Sequence, residues 1–321
     1  MPISAYPANI IIFIHYLCAM DKFYGEICQL LHDYGLHIYK VGEGYGHISV
    51  KAECSGNDRT IPLMLLGTPA TSQEEAERQH AEASAEIARL TDESGTYPLI
   101  LTEDRWSSQG EMTRSRLLAH LEIFTQIYAR NCEVRRIDKV TALNFLQTSH
   151  SYGDAACKYR YGLYLKRHTG HNALRLSESN DNPDGQAIAA LQPGTLIAVA
   201  TFSNARKWIK GDKTIRSYEW TRYASLPGVR LSGGMGKALK TFIKEVQPDD
   251  IMTYADLEWS EGKVYEQLGF TLEGVKEPVT FLIGSDCRRR PDRPDIPAME
   301  EDRWLRNFGS NKYRLKLTDY Q

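Results

Sequence analysis

Apolar positions along the first third of the chain change rhythm several times. Asn9–Met20 is almost continuously apolar, and Ile10–Leu17 within it reads as a buried strand or helix. Ile27, Leu30, Leu31 and Tyr34 then recur at helical spacing over Tyr24–Tyr34. His37–Lys51, rich in Gly, Tyr and β-branched residues, predicts a hairpin around Gly42–Gly46. Ile61–Leu66 predicts a buried strand. Ser72 followed by Glu75 makes a capping-box pattern at the head of an Ala/Glu-rich helix running to about Leu90, with Gly95 ending that stretch. Pro98–Thr102 predicts a short apolar strand and Glu111–Tyr128 an amphipathic helix.

Near Ala129–Arg136 the pattern restarts. Cys132–Ile137 predicts a strand, and Asp138 caps a helix through Gln147 carried by Leu143, Phe145 and Leu146. Tyr159–Lys166, Thr195–Ser203 and Ile215–Ser225 predict strands, with a polar surface loop at His168–Gly194. A helix over Gly234–Val246, a strand at Ile251–Ala255, a helix through Val264–Leu268 and a strand at Phe270–Ile283 complete a second sheet. The tail from Arg288, rich in Pro, Arg and Asp, is expected to wrap the surface, and the alternation at Tyr313–Leu317 to add an edge strand. These shifts divide the chain into 1–130, an α/β accessory domain; 131–285, a second α/β domain; and 286–321, a tail.

Composition narrows the class. The 321 residues are 42% hydrophobic and 25% charged, as in a soluble globular protein with room for two cores. The formal net charge of −2 gives no general attraction to nucleic acid. Residues 1–130 hold 10 basic and 17 acidic side chains, a net −7, and the remainder 29 and 24, a net +5. Such opposite signs suit docking domains, an anionic ligand, or ordinary surface variation. The six cysteines show no CxxC pair, which argues against a zinc site or a disulfide scaffold, and no metal is expected. Ile10–Leu17 is too short to span a bilayer and lacks a signal peptide's flanks, so a cytoplasmic protein without membrane contact is expected.

The segment with most chemistry is Arg230-Leu231-Ser232-Gly233-Gly234-Met235-Gly236-Lys237, placed after a strand and opening a helix. Its glycines let backbone turn tightly and approach a ligand. The helix start supplies free N–H groups and the positive dipole end, and together these suit a pyrophosphate. A Gly-rich helix start is also met as a simple turn. The spacing is neither the GxxxxGK[ST] of a P-loop nor the GxGxxG of a dinucleotide fold.

This strand–glycine loop–helix, followed by strand Ile251–Ala255, Glu258-Trp-Ser-Glu-Gly262 and Val264-Tyr-Glu-Gln-Leu-Gly-Phe270, resembles the core of the GNAT superfamily of N-acyltransferases. The resemblance implies a GNAT-like mixed, splayed central sheet flanked by helices, preceded by a smaller α/β domain. It implies acetyl-CoA, or another acyl-CoA, with its pyrophosphate on Arg230–Lys237 and its pantetheine arm between two splayed strands. Tyr265 matches the residue that often protonates the departing thiolate, a sensible acid with a reference pKa near ~10; the alternative is a core tyrosine. Leu231 stands where the family pattern has Gln or Arg, with Arg230 one residue early.

Further residues extend the likeness from about Leu99 to Ile283: Glu103-Asp-Arg-Trp106, Ile127-Tyr-Ala-Arg130, Phe145 to His150 with Gly153, Tyr161-Gly-Leu163, Ala200-Thr-Phe202 with Arg206, Glu219 with Arg222, and Tyr254-Ala-Asp-Leu-Glu-Trp-Ser260. They stand in the order seen in GNAT-like domains of phage and bacterial proteins that follow nuclease-like N-terminal regions and are associated with homing endonucleases.

Attack by an amine needs a proton acceptor. Glu219 and Glu258 are the candidates for that role, with Asp256, Arg222 and His150 on the substrate side. Glu219 alternatively pairs with Arg222 or Arg206 across strands, and His150 alternatively complements its helix dipole. A PD-(D/E)xK nuclease site would need an Asp and then Glu-x-Lys, whereas Gly46–Glu53 offers Lys51-Ala-Glu53 in reverse order. A degenerate nuclease-like domain without a cleavage site is therefore expected. The acceptor stays open between a small molecule, a protein and a nucleic acid. A DNA-modifying or DNA-binding protein, or a noncatalytic binding module, are the other functions this sequence allows. The run Arg288–Arg290 with Arg293 would touch phosphates in the DNA reading or form a solvated tail.

Overall fold

The computed structural model describes residues 8–54, 59–167, 191–293, 295 and 297–319. The loop expected at His168–Gly194 lies outside them up to residue 190. The chain forms two compact units. One comprises Met1–Thr113, Glu258–Ser260 and Glu277–Gly309; the other comprises Arg114–Leu257, Glu261–Lys276 and Ser310–Gln321. The chain thus returns twice to its first unit, a path that boundaries at 130 and 285 do not convey.

The first unit opens with α1 (Ala8–Asp33), a single helix across both the apolar run and the periodic stretch after it. Among the described residues no helix is long and apolar enough to cross a membrane. The expected hairpin forms as β1 (Ile38–Gly44) and β2 (His47–Glu53), turning at Gly46 with φ +71°. β3 (Thr60–Leu66) pairs antiparallel with β2 and is buried from Ile61 onward. α2 (Gln73–Ser94) begins where the capping box places it: Ser72 Oγ accepts from Glu75 N at 3.2 Å, and the Glu75 carboxylate accepts from Thr71 N at 2.8 Å. Gly95, at φ +66°, closes it. β4 (Leu99–Thr102) lies parallel to β3, giving the order β1-β2-β3-β4, and α3 (Glu103–Ser108) follows directly.

Next comes α4 (Gly110–His120), which is shorter than the helix expected over Glu111–Tyr128. Glu122 adopts a left-handed φ of +67°, and Thr125–Tyr128 becomes β5. The strand forms because it pairs in parallel with β11 (Val229–Ser232), a segment the sequence pattern did not mark.

The second unit's main sheet is built from β6 (Cys132–Arg136), β7 (Tyr159–Leu165), β8 (Leu196–Phe202), β9 (Arg206–Lys210), β10 (Lys213–Ser225), β12 (Asp250–Asp256) and β13 (Thr271–Lys276). α5 (Lys139–Ser149) follows β6 and is capped by Asp138, whose carboxylate accepts from Thr141 N at 2.9 Å. α6 (Gly234–Val246) has the bounds expected from the sequence, and α7 (Lys263–Gln267) precedes β13.

The single strand expected at Phe270–Ile283 is two: after β13 the chain rejoins the first unit as β14 (Thr280–Ile283). There β14 lies between β15 (Arg289–Pro291) and β16 (Arg303–Arg306). Two stretches of the segment expected as a surface tail, Arg289–Pro291 and Arg303–Arg306, are therefore strands of a sheet. The last strand, β17 (Ser310–Lys316), is not an edge strand either. It inserts between β12 and β13 and bonds to both, so the order is β13-β17-β12-β10-β8-β7-β6. Both units are mixed α/β, and in the second a strand, the glycine loop and a helix follow one another in the order the sequence predicts.

The second unit's core is aromatic. Phe202 and Phe242 stack with centroids 3.9 Å apart, ringed edge-on by Tyr159, Tyr161 and Tyr218. This cluster fixes α6 against the centre of the sheet, and so fixes the place of its first turn.

Candidate functional site

The sheet opens at its centre. β10 and β12 are parallel and pair only as Ser217↔Asp250, Tyr218↔Ile251 and Glu219↔Met252. Their joined end is pinned by Asp250, fully buried, which accepts from Arg314 Nη1 at 2.7 Å and from the Ser217 hydroxyl. From Trp220 onward β10 pairs with β8 on its other side, across an irregularity between Trp220 and Arg222, while β12 stays with β17. Past the ladder, Thr253 Oγ1 still donates to Trp220 O at 3.1 Å. The two strands then part.

The glycine loop stands after β11. Gly233 takes φ +78° and caps α6 without any side-chain hydrogen bond, and the first turn of the helix carries no acidic residue. Its leading amides are thus left to the positive end of the helix dipole. Gly234 has no room for a side chain: a Cβ there would lie 2.3 Å from Tyr223 Oη and 2.7 Å from Leu231 Cγ. Leu231 is buried, so it holds the loop by packing rather than by charge. Ser232 Oγ accepts from Gln126 Nε2 at 3.0 Å, tying β11 to β5. Met235 packs on the core. Arg230 is exposed, with its guanidinium 5.1 Å from the Phe124 ring centroid. The Lys237 ammonium is already engaged, donating to Ala129 O at 2.8 Å and to Cys132 O. Its charge serves those carbonyls, so negative charge at the loop would be met by the amides and dipole.

Tyr265, from α7, packs among Trp220, Phe270 and Tyr313 at centroid distances of 6.0, 5.7 and 5.6 Å. Burial raises its pKa, against the pull of a hydrogen bond with Thr253 and the charge of Arg116. The hydroxyl therefore keeps its proton at neutral pH.

A polar group gathers at the sheet face beyond α5. Tyr152, exposed, donates to Asp256 Oδ2 at 2.9 Å, joining the loop after α5 to the end of β12. His150 caps α5 and its Nδ1 accepts from Tyr152 N at 3.1 Å. Arg222 Nε donates to Gly153 O at 2.9 Å, and its guanidinium lies 5.9 Å from the Tyr152 ring centroid. Burial lowers the Arg222 pKa, and the charges of Glu219 and Asp154 oppose that. Glu219 ends the parallel ladder, its backbone N–H donating to Ser203 Oγ at 2.9 Å. The structure thus brings Glu219, Arg222, His150 and Asp256 into one neighbourhood. Tyr152, which the sequence reading passed over, links them; its trace was a Tyr-Gly pair at a helix end.

Glu258 does not join this group. It lies in the first unit, fully buried, where Arg289 Nη1 donates to both its oxygens at 2.8 and 2.9 Å and Arg105 Nη1 lies 2.9 Å from Oε2. Arg289 also bonds Asp104, at 2.6 Å from Nε to Oδ2, and Thr102 Oγ1 at 3.0 Å. Two carboxylates and two guanidiniums pair in an enclosed network, so the Glu258 carboxylate is committed to core ion pairs. Lys51 and Glu53 of the first unit also have structural partners: Lys51 pairs with Glu93 at 3.8 Å, and Glu53 accepts from Tyr39 Oη at 2.7 Å. Among the described residues no three His, Cys, Asp or Glu side chains are grouped to hold a metal ion.

No family model matches the sequence, and no curated protein matches it. Among solved structures, one described as histone acetyltransferase HPA2 and related acetyltransferase, from Corynebacterium glutamicum, is similar over 60% of this chain and 99% of its own. The identity is 9% and the TM-score 0.32. A likeness of that degree carries no weight for activity or substrate.

Proposed function

We propose that the second unit is an acyl-CoA-dependent N-acyltransferase, using acetyl-CoA or a related thioester and transferring directly to an amine. The observation that carries this reading is the parallel β10–β12 ladder that stops after Glu219↔Met252, in a unit whose α6 starts at glycines without a side-chain cap. A parted pair of strands leaves backbone groups free for an extended amide-bearing arm, and the helix start suits a pyrophosphate. The residues of the loop fit that group: Gly233 supplies the left-handed turn and the α6 amides the donors, while Gly234 lets the helix start pack closely on Tyr223 and Leu231. When bound, the cofactor supplies an activated acyl thioester.

In this reading the amine attacks the thioester carbonyl, a C–N bond forms and the C–S bond breaks. Glu219 takes the proton the amine loses, and Tyr265 gives one to the departing thiolate. His150, Arg222 and Asp256, with Tyr152, hold the acceptor. No acyl-enzyme is required.

Calorimetry of acetyl-CoA binding to the whole protein and to Gly236→Asp tests the cofactor assignment. Position 236 is the better choice of glycine because a Cβ there meets only Leu268 Cδ2, at 3.3 Å. A carboxylate in the first turn of α6 complements the dipole, so the variant should fold. Saturable binding by the wild type that falls tenfold or more in Gly236→Asp supports the reading. Absence of wild-type binding refutes it.

A further inference from the structure

One atom of the glycine-loop region lacks a structural purpose. Tyr223 stands on β10 beyond the ladder with β12, with its ring edge-on to Trp220 at 6.0 Å. Its hydroxyl is buried and has no hydrogen-bond partner among the described residues. Burial, reinforced by the nearby Cys132 thiol, raises its pKa, so it is a hydroxyl at any working pH. It lies directly against the first residue of α6, since a Cβ on Gly234 would fall 2.3 Å from Oη. The Lys237 ammonium of the same turn is committed to the carbonyls of Ala129 and Cys132. A phenylalanine would fill the same space without burying an unsatisfied polar group, which disfavours folding. The hydroxyl therefore makes sense if the partner it lacks within the protein is a ligand, and the uncapped start of α6, a helix of 13 residues, is where that ligand would lie.

We propose that Tyr223 is a ligand-binding residue whose hydroxyl donates a hydrogen bond to an acceptor oxygen of the coenzyme held at the start of α6. This rests on the coenzyme reading above. The oxygen belongs either to the pyrophosphate or to an amide of the pantetheine arm, which share the same acceptor chemistry.

The test is Tyr223→Phe in the full chain, with acetyl-CoA and with ADP, which has the diphosphate but no pantetheine. The expected result is an acetyl-CoA affinity roughly tenfold or more weaker, with a ligand-free melting temperature equal to or above wild type. Parallel weakening toward ADP assigns the bond to a phosphate; unchanged ADP binding assigns it to the pantetheine arm. Unchanged acetyl-CoA affinity overturns the proposal. A lower melting temperature also overturns it, because the hydroxyl would then have a structural partner. If the wild type itself binds no acetyl-CoA, the coenzyme reading falls and this inference with it.

Discussion

Replacing Gly234 by alanine adds one methyl group at the tightest point of the second unit. The added Cβ would sit 2.3 Å from Tyr223 Oη and 2.7 Å from both Cγ and Cδ2 of Leu231. Carbon normally keeps well over 3 Å from such atoms, so two packed side chains must each retreat by about 1 Å. Leu231 is buried and the Tyr223 ring is held against Trp220, so neither retreats freely. Overpacking of this kind costs about 1–3 kcal/mol. Against it stands the gain of about 0.5–1 kcal/mol from replacing glycine within a helix. The net expectation is about 0–2.5 kcal/mol of destabilisation, a fall of up to roughly 10 °C in the second unit's melting temperature. Gly236→Ala is the matched control: its Cβ meets the end of one leucine at 3.3 Å, so the helix gain should prevail and the melting temperature hold or rise. Thermal melts by circular dichroism, on both variants and on Gly234→Ala combined with Tyr223→Phe, check this. The double variant should recover part of the loss, since the nearest clash is removed. If Gly234→Ala melts above wild type, or no lower than Gly236→Ala, the steric reasoning is refuted.

Two further outcomes are expected. Arg289→Met leaves Asp104 and Glu258 buried with one guanidinium removed, and should cost the first unit about 3–5 kcal/mol in urea unfolding; a change below about 1 kcal/mol would show that the network relaxes to water. His120 is pushed down to about 3 by burial and by the charges of Arg116 and Arg230. It is therefore neutral in the folded unit but titrates near its ordinary value of ~6.5 when unfolded. Stability tied to that difference is present above about pH 6.5 and is lost as pH falls toward about 3. His120→Gln should flatten this part of the stability–pH curve, and an unchanged slope would count against a buried neutral imidazole.

Much of the fold was legible where local chemistry decides it. Ser72 and Glu75 mark the start of α2 because the hydrogen bonds that begin the helix are made within a few residues. Asp138 does the same for α5. The bounds of α6 follow from glycines at one end and a periodic apolar stripe inside. The misread elements all depend on distant partners. Thr125–Tyr128 looks helical beside α4, yet becomes a strand because Val229–Ser232 offers it a parallel ladder. Tyr313–Leu317 alternates as an edge strand would, yet the strand that forms, Ser310–Lys316, lies between two others.

The same division holds for the candidate site. The sequence by itself determined that a glycine-rich helix start follows a strand, since glycine spacing and helix periodicity are properties of a short segment. It also placed acids and an arginine on or near the central strands. Only the tertiary structure decided which of them meet. Tyr152 reaches Asp256 across 104 residues of chain, and Glu258, two residues beyond Asp256, is drawn into the first unit by Arg289. Tyr223 and Gly234 are brought into contact by the packing of α6 on the sheet. Short-range hydrogen bonds and periodicity are written along the chain, but a buried charge or hydroxyl takes its role from neighbours that only the folded core assembles.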